Sequence, residues 1–195
     1  MSDYSVIADV SRLMVSKLQR ILVPDLISGN DKIDVCSPAE HNDIALGLFL
    51  YDVMESEEIR RSTMMVSGMS NKMVYPPIYL NLYYMLTPYF MGNVKYRSIG
   101  EQETLGKIIQ YFHDYPIINY DELNSSGEGG TDLRIELLRL DMEQKQRIWT
   151  FPNEPYRTSL FYKVSPAIIH SSRYRNITRV SDARINVNSV EGNGG

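Results

Sequence analysis

Apolar residues near the N-terminus recur at helical spacing. Within residues 3–22 they return every three or four positions, which places them on one face of a helix. Pro24 ends this helix, because the residue before a proline is disfavoured in the helical conformation. A second helix is predicted to begin at Ser98, since Ser98 and Glu101 have the spacing of a capping box, and to stop at Pro116. Its predicted buried stripe is Leu105, Ile108, Ile109 and Phe112.

Two segments in the middle of the chain have the patterns of strands. Residues 44–53 are almost wholly apolar, which is typical of a strand buried on both faces. Gly47 within that run indicates a close approach of the backbone or a bulge. Residues 78–86 instead alternate between two faces. One face carries Ile78, Leu80, Leu82, Tyr84 and Leu86, and the other carries Tyr79, Asn81, Tyr83 and Met85.

The remaining patterns are shorter. Residues 33–36, 133–137 and 157–164 read as strands, with a bulge predicted at Leu138 and Leu140. Asp141 and Gln144 are placed to cap a short helix. The mixture of helical and hairpin-like links predicts an α+β fold, with one mixed, mainly antiparallel sheet flanked by helices. We expect a single domain at residues 1–170 and a polar C-terminal arm at residues 171–195.

The composition is that of a globular protein. The chain has 195 residues, of which 43% are hydrophobic and 23% charged. A single cysteine excludes an internal disulfide. Residues 44–51 are the longest apolar run, far shorter than the roughly 20 residues that cross a bilayer, so we expect no direct membrane insertion. The N-terminal residues lack the pattern of a secretory signal, which predicts synthesis and assembly in the cytoplasm.

Candidate catalytic groups are few. The sequence has neither a nucleophile elbow nor a phosphate-binding loop nor a zinc-protease motif. A small hydrolase would require His41 or Cys36 to converge with acidic residues in a pocket. We therefore predict no enzyme, no cofactor and no metal site.

Charge divides the chain into two parts. Residues 1–132 carry 10 basic and 18 acidic side chains, and residues 133–195 carry 10 basic and 6 acidic ones. One interpretation is nucleic-acid binding through Arg173 to Arg184 with Tyr174 stacking on bases, although the acidic body would repel phosphates. A second interpretation is that these arginines are only a solvated tail. A third is self-association: if the acidic and basic regions lie on opposite flanks, one copy docks head-to-tail on the next and the contact closes into a ring.

Tyrosine is abundant, with 14 residues against 5 Phe and 1 Trp. Because tyrosine is enriched at protein interfaces, one face of the alternating strand is either covered by a helix or available to a partner. The candidate interface residues are Tyr79, Tyr83, Leu160, Tyr162, Val164, Arg173, Arg175 and Arg179.

Several segments, taken in order, resemble a known family. They are YSVIADV at 4–10, CSPAE at 36–40, LFLYDV at 48–53, YPPIYLNLYYML at 75–86, EQETLGKIIQ at 101–110, HDYPII at 113–118, Trp149, PYRTSLFYKV at 155–164 and Pro166. Together they resemble the N-terminal domain of the cap, or tail-terminator, proteins of phage-tail-like contractile injection systems of the antifeeding-prophage type.

The resemblance implies a structural protein. Such a cap forms a ring, by analogy a homohexamer, on the distal end of the inner tube, where it stops polymerisation and attaches the last sheath layer. The implied partners are other copies of the chain, the tube protein and the sheath protein, with no nucleic acid. A sheath strand is expected to pair with an edge strand around residues 160–164, or with the arm after Ser171. A baseplate or anchoring adaptor of the same particle, either released or cell-anchored, stays open as an alternative.

Overall fold

The computed structural model describes residues 3–57, 65–66, 72–90, 94–119 and 132–176. The helices are α1 (Val6–Leu22), α2 (Val94–Asp114) and α3 (Met142–Ile148). The strands are β1 (Ile33–Val35), β2 (Leu46–Glu55), β3 (Met65–Val66), β4 (Lys72–Val74), β5 (Ile78–Pro88), β6 (Ile117–Ile118), β7 (Leu133–Leu137), β8 (Leu160–Ile169) and β9 (Tyr174–Asn176).

Two sheets organise these strands. The larger sheet has six strands in the order β1-β2-β5-β8-β7-β6, and only β1 and β2 are parallel among its described pairs. The smaller sheet has the order β3-β4-β9 and is antiparallel. The prediction of an α+β fold with a mixed, mainly antiparallel sheet is therefore confirmed.

One face of the larger sheet packs under α1 and α2. Leu82, Tyr84 and Leu86 of β5 are fully buried there, which confirms the predicted alternation for this part of the strand. Ile78 of the same predicted face is 49% exposed, so the prediction was wrong at the start of β5. The Tyr84 hydroxyl lies 2.9 Å from Ser11 Oγ of α1, so this buried polar group has a partner. Burial raises the pKa of Tyr84 to about 12.

The opposite face is covered at one end by the segment that follows β7. Met85, Phe161 and Trp149 form its buried cluster. The predicted cap of α3 is confirmed, since the Asp141 carboxylate accepts a hydrogen bond from the backbone N–H of Gln144 at 2.8 Å. The indole N–H of Trp149 donates to the carbonyl oxygen of Glu154 at 3.1 Å. Leu138 and Leu140 also join this cluster, so they lie beyond the end of β7 and not in the predicted bulge.

The second helix differs from its prediction at its start and on one face. It begins at Val94, so Ser98 lies inside the helix and is not its N-cap. Leu105, Ile108 and Phe112 form the buried stripe as predicted, but Ile109 is 39% exposed. Ile109 is turned about 100° around the helix axis from Ile108, which takes it out of the contact with the sheet. The helix ends at Asp114, before Pro116, as predicted.

Strand β2 is buried on both faces only in its first half. Leu46 and Leu48 are fully buried, whereas Val53 and Met54 are 39% and 52% exposed. The prediction of a wholly buried strand was therefore wrong for its second half, which also extends past β1, since β1 pairs only with residues 46–48. The register between β2 and β5 also shifts between Leu50 and Asp52.

Gly47 occupies the tightest point of this packing. A Cβ atom at this position would lie 2.7 Å from Cys36 Sγ and 2.9 Å from Tyr89 Cε2, so the predicted close approach is confirmed. Gly106 of α2 is different, because a Cβ atom there would have no heavy atom within 4 Å outside the helix backbone.

These two glycines give a matched pair of substitutions. We expect Gly47→Ala to lower the free energy of unfolding by about 1–3 kcal/mol, because the added methyl group overpacks the site. We expect Gly106→Ala to raise it by about 0.5–1 kcal/mol, because alanine has the higher helix propensity. Urea unfolding of both variants measures the difference. Equal effects of the same sign would contradict the packing described around Gly47.

Candidate assembly interface

Strand β8 was expected to offer a free edge, and the structure corrects this. It lies between β5 and β7, and residues 162–165 of β8 pair with β7 on the side away from β5. Tyr162 is 2% exposed, with its ring 5.2 Å from that of Phe112, and Val164 is fully buried. Leu160 is half-buried against the main core. Tyr162 and Val164 are therefore core residues, because the sheet continues past β8.

The two candidate tyrosines of β5 have different surroundings. Tyr79 is 7% exposed, so little of its side chain reaches the surface of this chain. Tyr83 is half-buried, with its ring centroid 6.1 Å from that of Tyr51. Its partner across the ladder is Lys163, whose Nζ lies 3.7 Å from Glu136 Oε2. Tyr83 thus borders a polar, partly open area of the sheet face that α3 does not cover.

The candidate arginines lie at the far end of the sheet. Arg173 and Arg175 are both exposed. The guanidinium of Arg173 stacks 4.5 Å from the ring centroid of Tyr75, which holds the strand ends at this point together. Arg175 belongs to β9 and pairs with Met73 of β4. Arg179 lies outside the described residues, as do Arg184 and most of the predicted arm.

Sequence analysis missed an exposed edge on β2. Because β1 ends at Val35, no described strand pairs with residues 50–55 on the side away from β5. The backbone N–H of Val53 donates to the Asp52 carboxylate at 2.8 Å. It points away from β5, because the Ser56 N–H donates to the Tyr79 carbonyl of β5 and successive N–H groups of a strand point to opposite sides. We call residues 50–57 the acidic edge, since Asp52, Glu55 and Glu57 are exposed there. The sequence contained one signal of this edge. The strand predicted at 33–36 is much shorter than the strand predicted at 44–53, so a short neighbour would leave part of the longer strand without a partner.

A polar cleft lies between α2 and the segment before β8. It has a volume of about 400 Å³, and its charged lining residues are Arg97, Glu101 and Arg157. Nη1 of Arg157 lies 3.5 Å from Glu101 Oε1. The buried Nε atoms of both arginines have no hydrogen-bond partner within the described residues. The described lining residues include this ion pair and the hydroxyl groups of Ser98, Tyr156 and Thr158, and none of them is a cysteine or a histidine.

The other candidate chemical groups are Cys36 and His41. Burial, with smaller contributions from Asp34 and Glu40, raises the pKa of the Cys36 thiol to about 11. A protonated thiol is a poor nucleophile at neutral pH. The His41 ring stacks face to face on Tyr89 at 4.1 Å between centroids. Within residues 3–57 and the other described ranges, no group of three or more His, Cys, Asp or Glu residues is placed to hold a metal ion.

None of the helices in the described part of the chain combines the length and the apolar character that spanning a bilayer requires.

Sequence comparison identifies the domain. The profile of the Pvc16 N-terminal domain family matches residues 9–182. No curated protein sequence is significantly similar to the chain.

Two solved structures share the fold. One is the PVC sheath/tube terminator of an extracellular contractile injection system in its extended state, with a TM-score of 0.60 and 16% identity. The match covers 95% of this chain and 65% of that chain. The other is the tube-terminating cap of the anti-feeding prophage, with a TM-score of 0.58 and 14% identity, covering 92% of this chain and 61% of that chain. The chain therefore spans less than two-thirds of the length of either structure.

The state of Cys36 gives a prediction for chemical modification. With its pKa at about 11, the native thiol should react with iodoacetamide near pH 8 roughly 100-fold more slowly than in the chain unfolded by urea. The native rate should rise about tenfold per pH unit as the thiolate fraction grows. Mass spectrometry of the alkylated chain measures both rates. A native rate equal to the unfolded one would contradict a shielded thiol and revive the hydrolase alternative.

Proposed function

Because the chain belongs to the Pvc16 N-terminal domain family, we propose that it is a structural cap, or tail terminator, of a contractile injection system. The observation that carries the proposal is the fold shared with two terminator structures over 95% and 92% of this chain. In this proposal a ring of copies sits on the distal end of the inner tube. It stops tube polymerisation and attaches the last sheath layer.

The proposed partners follow from this position. They are other copies of the chain in a homohexamer, the inner tube protein and the sheath protein. The protein assembles in the cytoplasm into a phage-tail-like particle. We assign no role to nucleic acid, because residues 1–132 carry a net charge of −8, which opposes a phosphate backbone.

We further propose that the chain has no catalytic activity. A ring on a tube end requires a rigid sheet and complementary surfaces, and it requires no activated side chain. The raised pKa of Cys36 and the stacking of His41 on Tyr89 support this part of the proposal. The rigid sheet is present, since β5 pairs along its length with both β2 and β8.

Electron microscopy of particles from cells that lack this chain tests the cap function. We expect tubes of uncontrolled length or sheaths that are detached at the distal end, because nothing terminates the tube or holds the sheath there. Particle length and the state of both ends are scored against cells in which the wild-type chain is restored.

Two other outcomes would separate the alternatives. Particles of normal length with an intact distal end would overturn the cap function. If the defect were confined to the baseplate end, the chain would instead be an adaptor of the same machine. A labelled copy of the chain distinguishes the two positions independently, since a cap labels the end opposite the baseplate.

A further inference from the structure

Among the described strands, none pairs with two stretches of the larger sheet that lie on opposite sides near one end. On one side, the acidic edge of β2 extends beyond β1. On the other side, β7 pairs with β8 only up to Ser165, so among the described strands none covers residues 166–169 on that side. Both stretches lie at the same end of the sheet, because Glu55 of β2 and Ala167 of β8 both pair with Leu80 of β5.

Strand β9 prolongs this second side. The pairing of β5 with β8 ends where Ile78 lies opposite Ile169. The same two chain segments pair again as β4 and β9, beginning where Val74 lies opposite Tyr174. The backbone N–H of Tyr75 donates to the carbonyl of Arg173 at 3.2 Å between the two ladders. We call residues 166–176 the basic edge.

The two edges carry opposite charge. Residues 50–57 contain Asp52, Glu55 and Glu57 and no basic residue. Residues 166–176 contain Arg173 and Arg175 and no acidic residue. All five charged side chains are exposed, so they are available to a second chain. Opposite charges on two complementary surfaces favour their encounter and fix the orientation of docking.

We propose that the acidic edge of one copy pairs with the basic edge of the next copy. The inference specifies the contact between copies in the proposed cap, and therefore rests on that function. The occupant of each edge is a second copy of this chain, because the complementary charge pattern lies on the same molecule. The contact is heterologous, since two different surfaces meet, and repetition of such a contact closes into a ring when the rotation between copies permits it.

The pairing supplies backbone hydrogen bonds as well as ion pairs. The Val53 N–H is bonded to Asp52 in the isolated chain. A guanidinium of the neighbouring copy competes for the Asp52 carboxylate, and the released N–H then donates to a carbonyl of the added strand. Strand addition of this kind depends on main-chain groups, while the charged side chains select the partner edge. The exposed acidic residues also protect the edge from pairing with a second acidic edge.

Charge reversal on each side tests the pairing. The first variant carries Asp52→Lys and Glu55→Lys, and the second carries Arg173→Glu and Arg175→Glu. The control variants are Glu143→Lys and Arg147→Glu on α3, where both side chains are more than 70% exposed and form an ion pair with each other. Circular dichroism checks that each variant is folded. Sedimentation velocity at low salt measures self-association of the whole chain.

We expect each edge variant to associate at least about tenfold more weakly than the wild type, because like charges then face each other. The control variants should associate as the wild type does. A mixture of the two edge variants gives the decisive result. The first variant has two basic edges and the second has two acidic edges. Each variant should therefore assemble only with the other, in alternating subunits. Self-association should also weaken with added salt.

Three results would overturn the inference. They are a wild-type chain that stays monomeric at every attainable concentration, edge variants that associate like the wild type, and a mixture that does not recover assembly. The cap function is judged separately from particle length in cells. Particles that need the chain but tolerate both edge variants would refute the contact and leave the cap function standing.

Discussion

The structure depends on the burial of β5 on both faces. The side chains in its second half are buried on both faces of the sheet, so a different part of the chain packs on each face. Leu82, Tyr84 and Leu86 pack under α1 and α2, and Met85 packs under the segment around Trp149. The buried hydroxyl groups at the end of the strand also have partners, since Thr87 Oγ1 lies 2.7 Å from Ser159 Oγ. These requirements fix the positions of the helices and place β2 and β8 on either side of β5.

Unequal strand lengths determine which backbone stays accessible. Strands β2 and β8 have 10 residues each, whereas their outer neighbours β1 and β7 have 3 and 5. Among the described strands, the outer sides of β2 and β8 are therefore paired at one end of each strand and unpaired at the other. Native proteins commonly protect such edges with charged side chains. Here the protecting charges are acidic on one side and basic on the other. The two sides are therefore complementary to each other and not to themselves.

Burial also decides the chemistry of the few reactive side chains. Desolvation holds the Cys36 thiol in its protonated form, and the Gly47 backbone lies against its sulfur. His41 lies flat on Tyr89, whose pKa burial also raises. These groups stabilise the packing at the start of β2. Exposed arginines and carboxylates lie on the two outer sides of the larger sheet.

The sequence by itself determined the features that depend on neighbouring residues. Helical spacing predicted α1, alternation predicted the two faces of β5, and the Asp141 and Gln144 pair predicted the cap of α3, because each pattern lies within a few residues. The resemblance to cap proteins likewise came from short segments in order. The sequence did not show that β8 is a central strand, that the second half of β2 is exposed or that α2 begins at Val94. Those features depend on where β1, β7 and the helices lie in space, and contacts between segments distant along the chain are decided only by the tertiary structure.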